Sequence, residues 1–137
     1  MLQIKLRNDT SRGVRFMATI CLYQDTCHAE PLKWMREILE IGYLSNRNDG
    51  MTELRINGFV SVQKVLTQLR PFIRFKTVQA DALLQACTIL SSKTISKLSE
   101  YELRSLVDFV FLIRGCNYKS HATLSKETLL LRLGLTP

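Results

Sequence analysis

Metal-ligating side chains are few in this chain, and none is placed where a ligand set would need it. His28 and His121 lie far apart, and Cys21, Cys27, Cys87 and Cys116 show no close paired spacing. A structural zinc site takes four ligands, and the adjacent pair Cys27-His28 supplies two, so local spacing builds no such site. Acids are also scarce: Asp25, Glu30, Asp49, Asp81 and Asp108 fall in different segments, so no carboxylate pair is set up by spacing. The reading of the residues alone is therefore no metal site. No basic, apolar, small-residue signal opens the sequence, so the cysteines are expected to be reduced thiols in an intracellular compartment. The longest apolar stretches are too short to span a bilayer, which leaves no membrane partner.

What is present is positive charge. Lysine and arginine number 19 against 12 aspartates and glutamates, giving a formal charge of +7 and a pI near 9.5. Such a balance favours a polyanionic partner, because each phosphate neutralised by Lys or Arg releases a condensed counterion. A length of 137 residues suits one domain over 1–137. Hydrophobic residues at 46% and charged ones at 23% exclude wholesale disorder.

Periodicity orders the elements. Residues 1–23 read as two strands: Leu2, Ile4 and Leu6 alternate with Gln3, Lys5 and Arg7, and Val14, Phe16, Ala18, Ile20 and Leu22 alternate with Arg15, Met17, Thr19, Cys21 and Tyr23. The turn-rich run from Asn8 to Gly13 joins them. After Pro31, apolar residues at helical spacing predict a helix to about Glu40. A second hairpin follows, Tyr43 to Arg47 and Met51 to Asn57, around the turn Asn48-Asp49-Gly50. Val62, Val65, Leu66 and Leu69 then form a helical stripe ending at Arg70-Pro71, and a further helix should turn Val78, Ala82, Leu83, Ala86 and Ile89 inward. Ser99-Glu100-Tyr101-Glu102 is a capping box that opens a helix to Arg114-Gly115, and a last helix begins near Ser125. This order predicts an α+β fold in which two hairpins make one four-stranded antiparallel curved sheet covered on one face by helices.

The uncovered face should display Gln3, Lys5, Arg7, Arg15, Met17, Thr19, Ser45, Arg47, Glu53, Arg55 and Asn57. Guanidinium, amide and hydroxyl groups in this mixture suit base edges and phosphates: Arg forks onto guanine, and Gln or Asn onto adenine. Five basic side chains share this face with one acid, Glu53.

The run from Asn48 to Ile56, the stripe Val62 to Leu69, and above all Leu69-Arg70-Pro71-Phe72-Ile73-Arg74-Phe75-Lys76-Thr77-Val78-Gln79-Ala80 resemble a single-domain LAGLIDADG homing endonuclease over nearly the whole chain. In that family two such domains lay their curved sheets along the major groove. The resemblance implies the same outward positions, Cys21 included, as nucleic-acid contacts. It also implies a polar ring around the scissile phosphate, matched by Lys76, Gln24 and, less closely, His28. A lysine there stabilises charge developing on the phosphate.

The family's name comes from an N-terminal helix that packs against the partner domain and ends in an acid for Mg²⁺. Here the sequence opens on the first strand, and no later segment supplies a substitute. The expectation is a domain that binds nucleic acid but does not cut alone, with no cofactor of its own and Mg²⁺ only if an acidic helix is supplied in trans. Two alternatives stand beside it. One is the C-terminal piece of a split site-specific DNA endonuclease, completed by a partner chain. The other is a repurposed RNA-binding component of a larger particle, such as an organellar ribosome, or an intron maturase. These imply a mitochondrion, a chloroplast, or bacterial or archaeal cytoplasm. Apolar surface left beside the first strand and around Leu83 should be covered by another protein chain.

Overall fold

In a computed structural model of the chain, residues 1–7, 10, 12–116 and 124–137 are described, without the side chain of Leu6. His121 and part of the first turn, Asn8, Asp9 and Ser11, lie outside these residues. Strand β1 (Leu2–Leu6) pairs antiparallel with β2 (Val14–Asp25). Helix α1 (Glu30–Leu39) follows one turn of 3-10 helix, and the second hairpin is β3 (Tyr43–Asn46) and β4 (Met51–Asn57). The four strands form one sheet in the order β1-β2-β4-β3. This bears out the predicted α+β class and the two-hairpin sheet.

Helices back one side of the sheet. They are α2 (Phe59–Leu69), α3 (Thr77–Ser92), α4 (Glu100–Gly115) and α5 (Lys126–Arg132). Val14, Phe16, Ala18 and Ile56 point down from the strands into a core shared with Val62, Val65, Leu83, Ala86, Leu106, Val107 and Val110. The inward residues are those that alternation selected, because period 2 in a strand sends every second side chain to one face. Two helical positions depart from expectation: Val78, in the first turn of α3, is half-exposed, and Leu69, at the end of α2, is exposed as well. The capping box is complete, with Ser99 Oγ accepting from the Glu102 N–H and the Glu102 carboxylate accepting from the Ser99 N–H.

Two local features fix the register of β4. Thr52, buried on the helix side, donates to Asn46 Oδ1 at 3.0 Å and lies 3.0 Å from Thr26 Oγ1. Gly42 has φ +96°, and a Cβ there would come 2.8 Å from the Arg55 carbonyl oxygen. Only glycine lets the chain leaving α1 pass this close to β4.

Candidate nucleic-acid interface

The register places the predicted contact residues on one face. Gln3 lies opposite Met17 and Lys5 opposite Arg15. Thr19 faces Asn57, and Cys21 faces Arg55. Ser45 faces Glu53 from β3. Arg7 and Arg47 continue the same alternation just beyond the ends of β1 and β3. The geometry thus brings together Gln3, Lys5, Arg7, Arg15, Met17, Thr19, Cys21, Ser45, Arg47, Glu53 and Arg55. Tyr23 and Tyr43 belong to this face as well, opposite Glu53 and Arg55, and both are about half-exposed. Neither stood among the expected contacts, although the same alternation selects both.

At the β1–β2 end, Lys5 and Arg15 are exposed and have no ionic partner among the described residues. Toward β3 the charges are organised. Arg47 Nη2 meets Asp49 Oδ2 at 2.9 Å, while its guanidinium lies 5.5 Å from the centre of the Tyr23 ring, a cation–π geometry. Asn57 accepts from Thr19 Oγ1 at 2.9 Å and donates to Tyr43 Oη at 3.3 Å. A hydrogen bond with Cys21, together with desolvation, holds the Tyr23 phenol above its ordinary range. Glu53 departs from expectation. It is only 4% exposed, buried on a face whose other polar residues are open, and its Oε1 meets Arg55 Nη2 at 2.7 Å. A carboxylate at that depth is not presented to a ligand as its neighbours are.

The residues matched to a phosphate-handling ring lie elsewhere. Gln24 is inside β2, not after it, and alternation turns it to the helix side, in line with Ile20 and Leu22. Lys76 precedes α3 in the left-handed conformation, φ 56°, and is exposed. His28 ends the 3-10 turn, also exposed. No hydrogen bond or ion pair joins these three among the described residues.

Lys76 instead lines an apolar groove of about 740 Å³ on the helix side, between Ile20 and Leu22 of β2, Trp34 and Ile38 of α1, Phe72 and Phe75 of the Arg70-to-Lys76 link, and Leu83 of α3. Met1 lies at its edge, with its ammonium donating to the Thr19 carbonyl at 2.6 Å. Of the apolar surface expected beside β1 and around Leu83, the groove meets Leu83, but it is walled by β2, with Met1 alone reaching it from the β1 side. No aspartate or glutamate lines it, whereas Arg74 and Lys76 do. Nor do the described residues hold a group of three or more His, Cys, Asp or Glu able to bind a metal ion. By themselves, then, they do not fit the divalent cation that the resemblance implies.

A basic antiparallel sheet, open on one face and backed by helices on the other, defines an α+β fold with one face free for a polyanionic ligand. No family model matches the chain. It is 33% identical over 112 residues to the DNA endonuclease I-CvuI of Chlorella vulgaris, covering 81% of this chain and 68% of that protein. The chain belongs to the LAGLIDADG homing endonuclease family. Against the crystal structure of I-CvuI in complex with the I-CreI target in the presence of Mg it has a TM-score of 0.78 at 26% identity, over 99% of this chain and 86% of that one. The archaeal intron-encoded I-Vdi141I, complexed with DNA, shares the fold at a TM-score of 0.82 and 19% identity, over 97% of this chain and 84% of that one. Among the described residues, no helix is long and apolar enough to cross a membrane.

Proposed function

We propose that this domain binds duplex DNA along the open face of its sheet, and that strand cleavage depends on an acidic helix from outside residues 1–137. The observation that carries the first half is the pairing of Lys5 with Arg15. Like charges directly opposite on antiparallel strands repel, and nothing among the described residues relieves them, whereas a phosphate between them would. The central strands then meet base edges through Arg55, Asn57 and Thr19, and the outer basic residues grip the backbone. A DNA ligand is favoured over RNA because relatives of the same fold are solved on DNA.

The groove supports the second half. Its apolar walls and cationic rim suit an apolar helix with an acidic end, carried by a second protein chain or by further sequence of the same one. Seated there, the acid would lie beside Lys76, and Gln24 continues the row of β2 residues that flank it. Lys76 would then offer its ammonium to the charge building on the attacked phosphate, with Gln24 as a polar neighbour. A bound Mg²⁺ would supply Lewis-acid activation of that phosphate.

The test is a binding isotherm on duplex DNA and on structured RNA across a salt series, with a nicking assay in Mg²⁺. Expected are steeply salt-dependent duplex binding, weaker binding in Arg47→Ala and Arg55→Ala, and nicking only once an acidic helix is added. Nicking by residues 1–137 alone overturns the dependence on that helix. Salt-independent weak binding, or stronger binding to RNA, overturns the DNA reading.

A further inference from the structure

We infer that Glu53 is a positioning residue that fixes the Arg55 guanidinium for reading one base pair, and that it makes no contact with nucleic acid itself. The inference rests on the proposed DNA-binding face and adds to it the device that sets specificity at its centre. Arg55 lies on β4, flanked by β2 and β3, with Cys21 and Tyr43 as its Cα partners. A residue so placed is at the middle of the face, where base edges rather than phosphates are met. Its side chain is 38% exposed against 5% for Glu53.

The hydrogen-bond accounting separates their roles. Glu53 Oε1 holds Arg55 Nη2, while Glu53 Oε2 and Arg55 Nε are both enclosed and have no partner among the described residues. The carboxylate therefore offers no oxygen outward. On the guanidinium, Nη1 and the second Nη2 hydrogen remain for a ligand, and that end-on fork matches guanine O6 and N7. An arginine held at one nitrogen and enclosed at another has lost its rotameric freedom before binding, so less is lost on contact. The two enclosed polar atoms without partners cost stability, and a threonine on this strand would avoid the cost. The arrangement serves a ligand better than it serves the fold.

The experiment measures base preference on a pool of randomised duplex DNA, with thermal melting and salt dependence recorded for the same preparations. Arg55→Ala identifies the base pair that Arg55 reads, at which the wild type should prefer guanine by on the order of ten-fold. Glu53→Ala should abolish preference at that same base pair and leave the others intact. Total affinity for the pool should be unchanged or higher, since a negative charge is lost. Glu53→Gln, which keeps the shape and a neutral hydrogen bond, should retain part of the preference, and Glu53→Ala with Arg55→Ala should match Arg55→Ala alone. Preference lost at a different base pair overturns the inference, because Glu53 would then touch a base itself. Equal losses at every position with a fall in melting temperature overturn it in favour of a purely structural role. Wild-type selectivity that survives in Glu53→Ala overturns this inference alone, whereas absence of wild-type duplex binding overturns the reading of the face with it.

Discussion

Replacing Lys5 or Arg15 by alanine should weaken DNA binding while leaving the fold as stable as before or slightly more so. The two residues are in register on β1 and β2, exposed, and without an ionic partner among the described residues. Like charges directly opposite across an antiparallel pair are destabilising, by a part of the roughly 0.2–1 kcal/mol that such pairs contribute. Removing either should return a few tenths of a kcal/mol to the free protein. On DNA the sign reverses. Each phosphate contact contributes about 0.9 to the slope of log affinity against log salt, so at 0.1 M salt one lost contact is worth about eight-fold in affinity. The double variant should approach sixty-fold if the two residues grip separate phosphates, and fall short of it if they share one. Fluorescence anisotropy on a labelled duplex between 50 and 200 mM salt, paired with thermal melting, reads both quantities. An unchanged salt slope, or a loss of stability in either single variant, would refute the assignment of this corner to phosphate.

Four further predictions concern the frame and the groove around the site. Gly42→Ala should destabilise the domain by more than 1 kcal/mol in a urea titration, since the residue sits at φ +96° and its Cβ would press on the Arg55 carbonyl at 2.8 Å. Ser99→Ala should cost about 1 kcal/mol by the same titration, through loss of the α4 cap. The Lys93 ammonium and the Ser99 N–H hold the Glu102 carboxyl at about 2, below its ordinary 4.5, so the stability it adds is complete above pH 4.5 and is lost as pH falls toward 2. Glu102→Gln should flatten the fall in melting temperature over that window. Ile38→Ser and Phe75→Ser, at groove positions 61% and 79% exposed, should shift stability by no more than about 0.5 kcal/mol yet reduce binding of an apolar fluorescent dye.

Much of this was legible because it depends on local periods. Alternation in residues 2–6 and 14–22 separates Phe16 and Ala18 from Arg15 and Met17, and it holds in the folded sheet because one face meets helices and the other does not. Asp49-Gly50 marks the turn and Ser99-x-x-Glu102 the cap, since both signals act within four residues. Depth was not legible. Alternation assigns Glu53 to the open face but says nothing of how far it sinks, which follows from Tyr23 and Ser45 arriving on either side from two other strands. The groove was foreseen from a missing partner, whereas its cationic rim depends on the left-handed backbone at Lys76 and on the course of the Phe72-to-Lys76 link.

The length of β2 matters most, because its last residues belong to both sides of the sheet. β2 runs to Asp25, pairing with β4 down to Met51, so Tyr23 faces outward beside Arg47 while Gln24 faces the helices. A slip of one residue in this pairing would exchange them, placing an amide among the proposed DNA contacts and a phenol on the groove side. Register is therefore the quantity on which both halves of the proposed function depend. On the β2 side it is held by the bond of Thr52 to Thr26, while Asn46 and the close passage of Gly42 against Arg55 hold β3 to the same strand. Substitutions at Thr52 and Gly42 lie outside the proposed DNA contacts, yet they should disturb base preference and the geometry of Gln24 together.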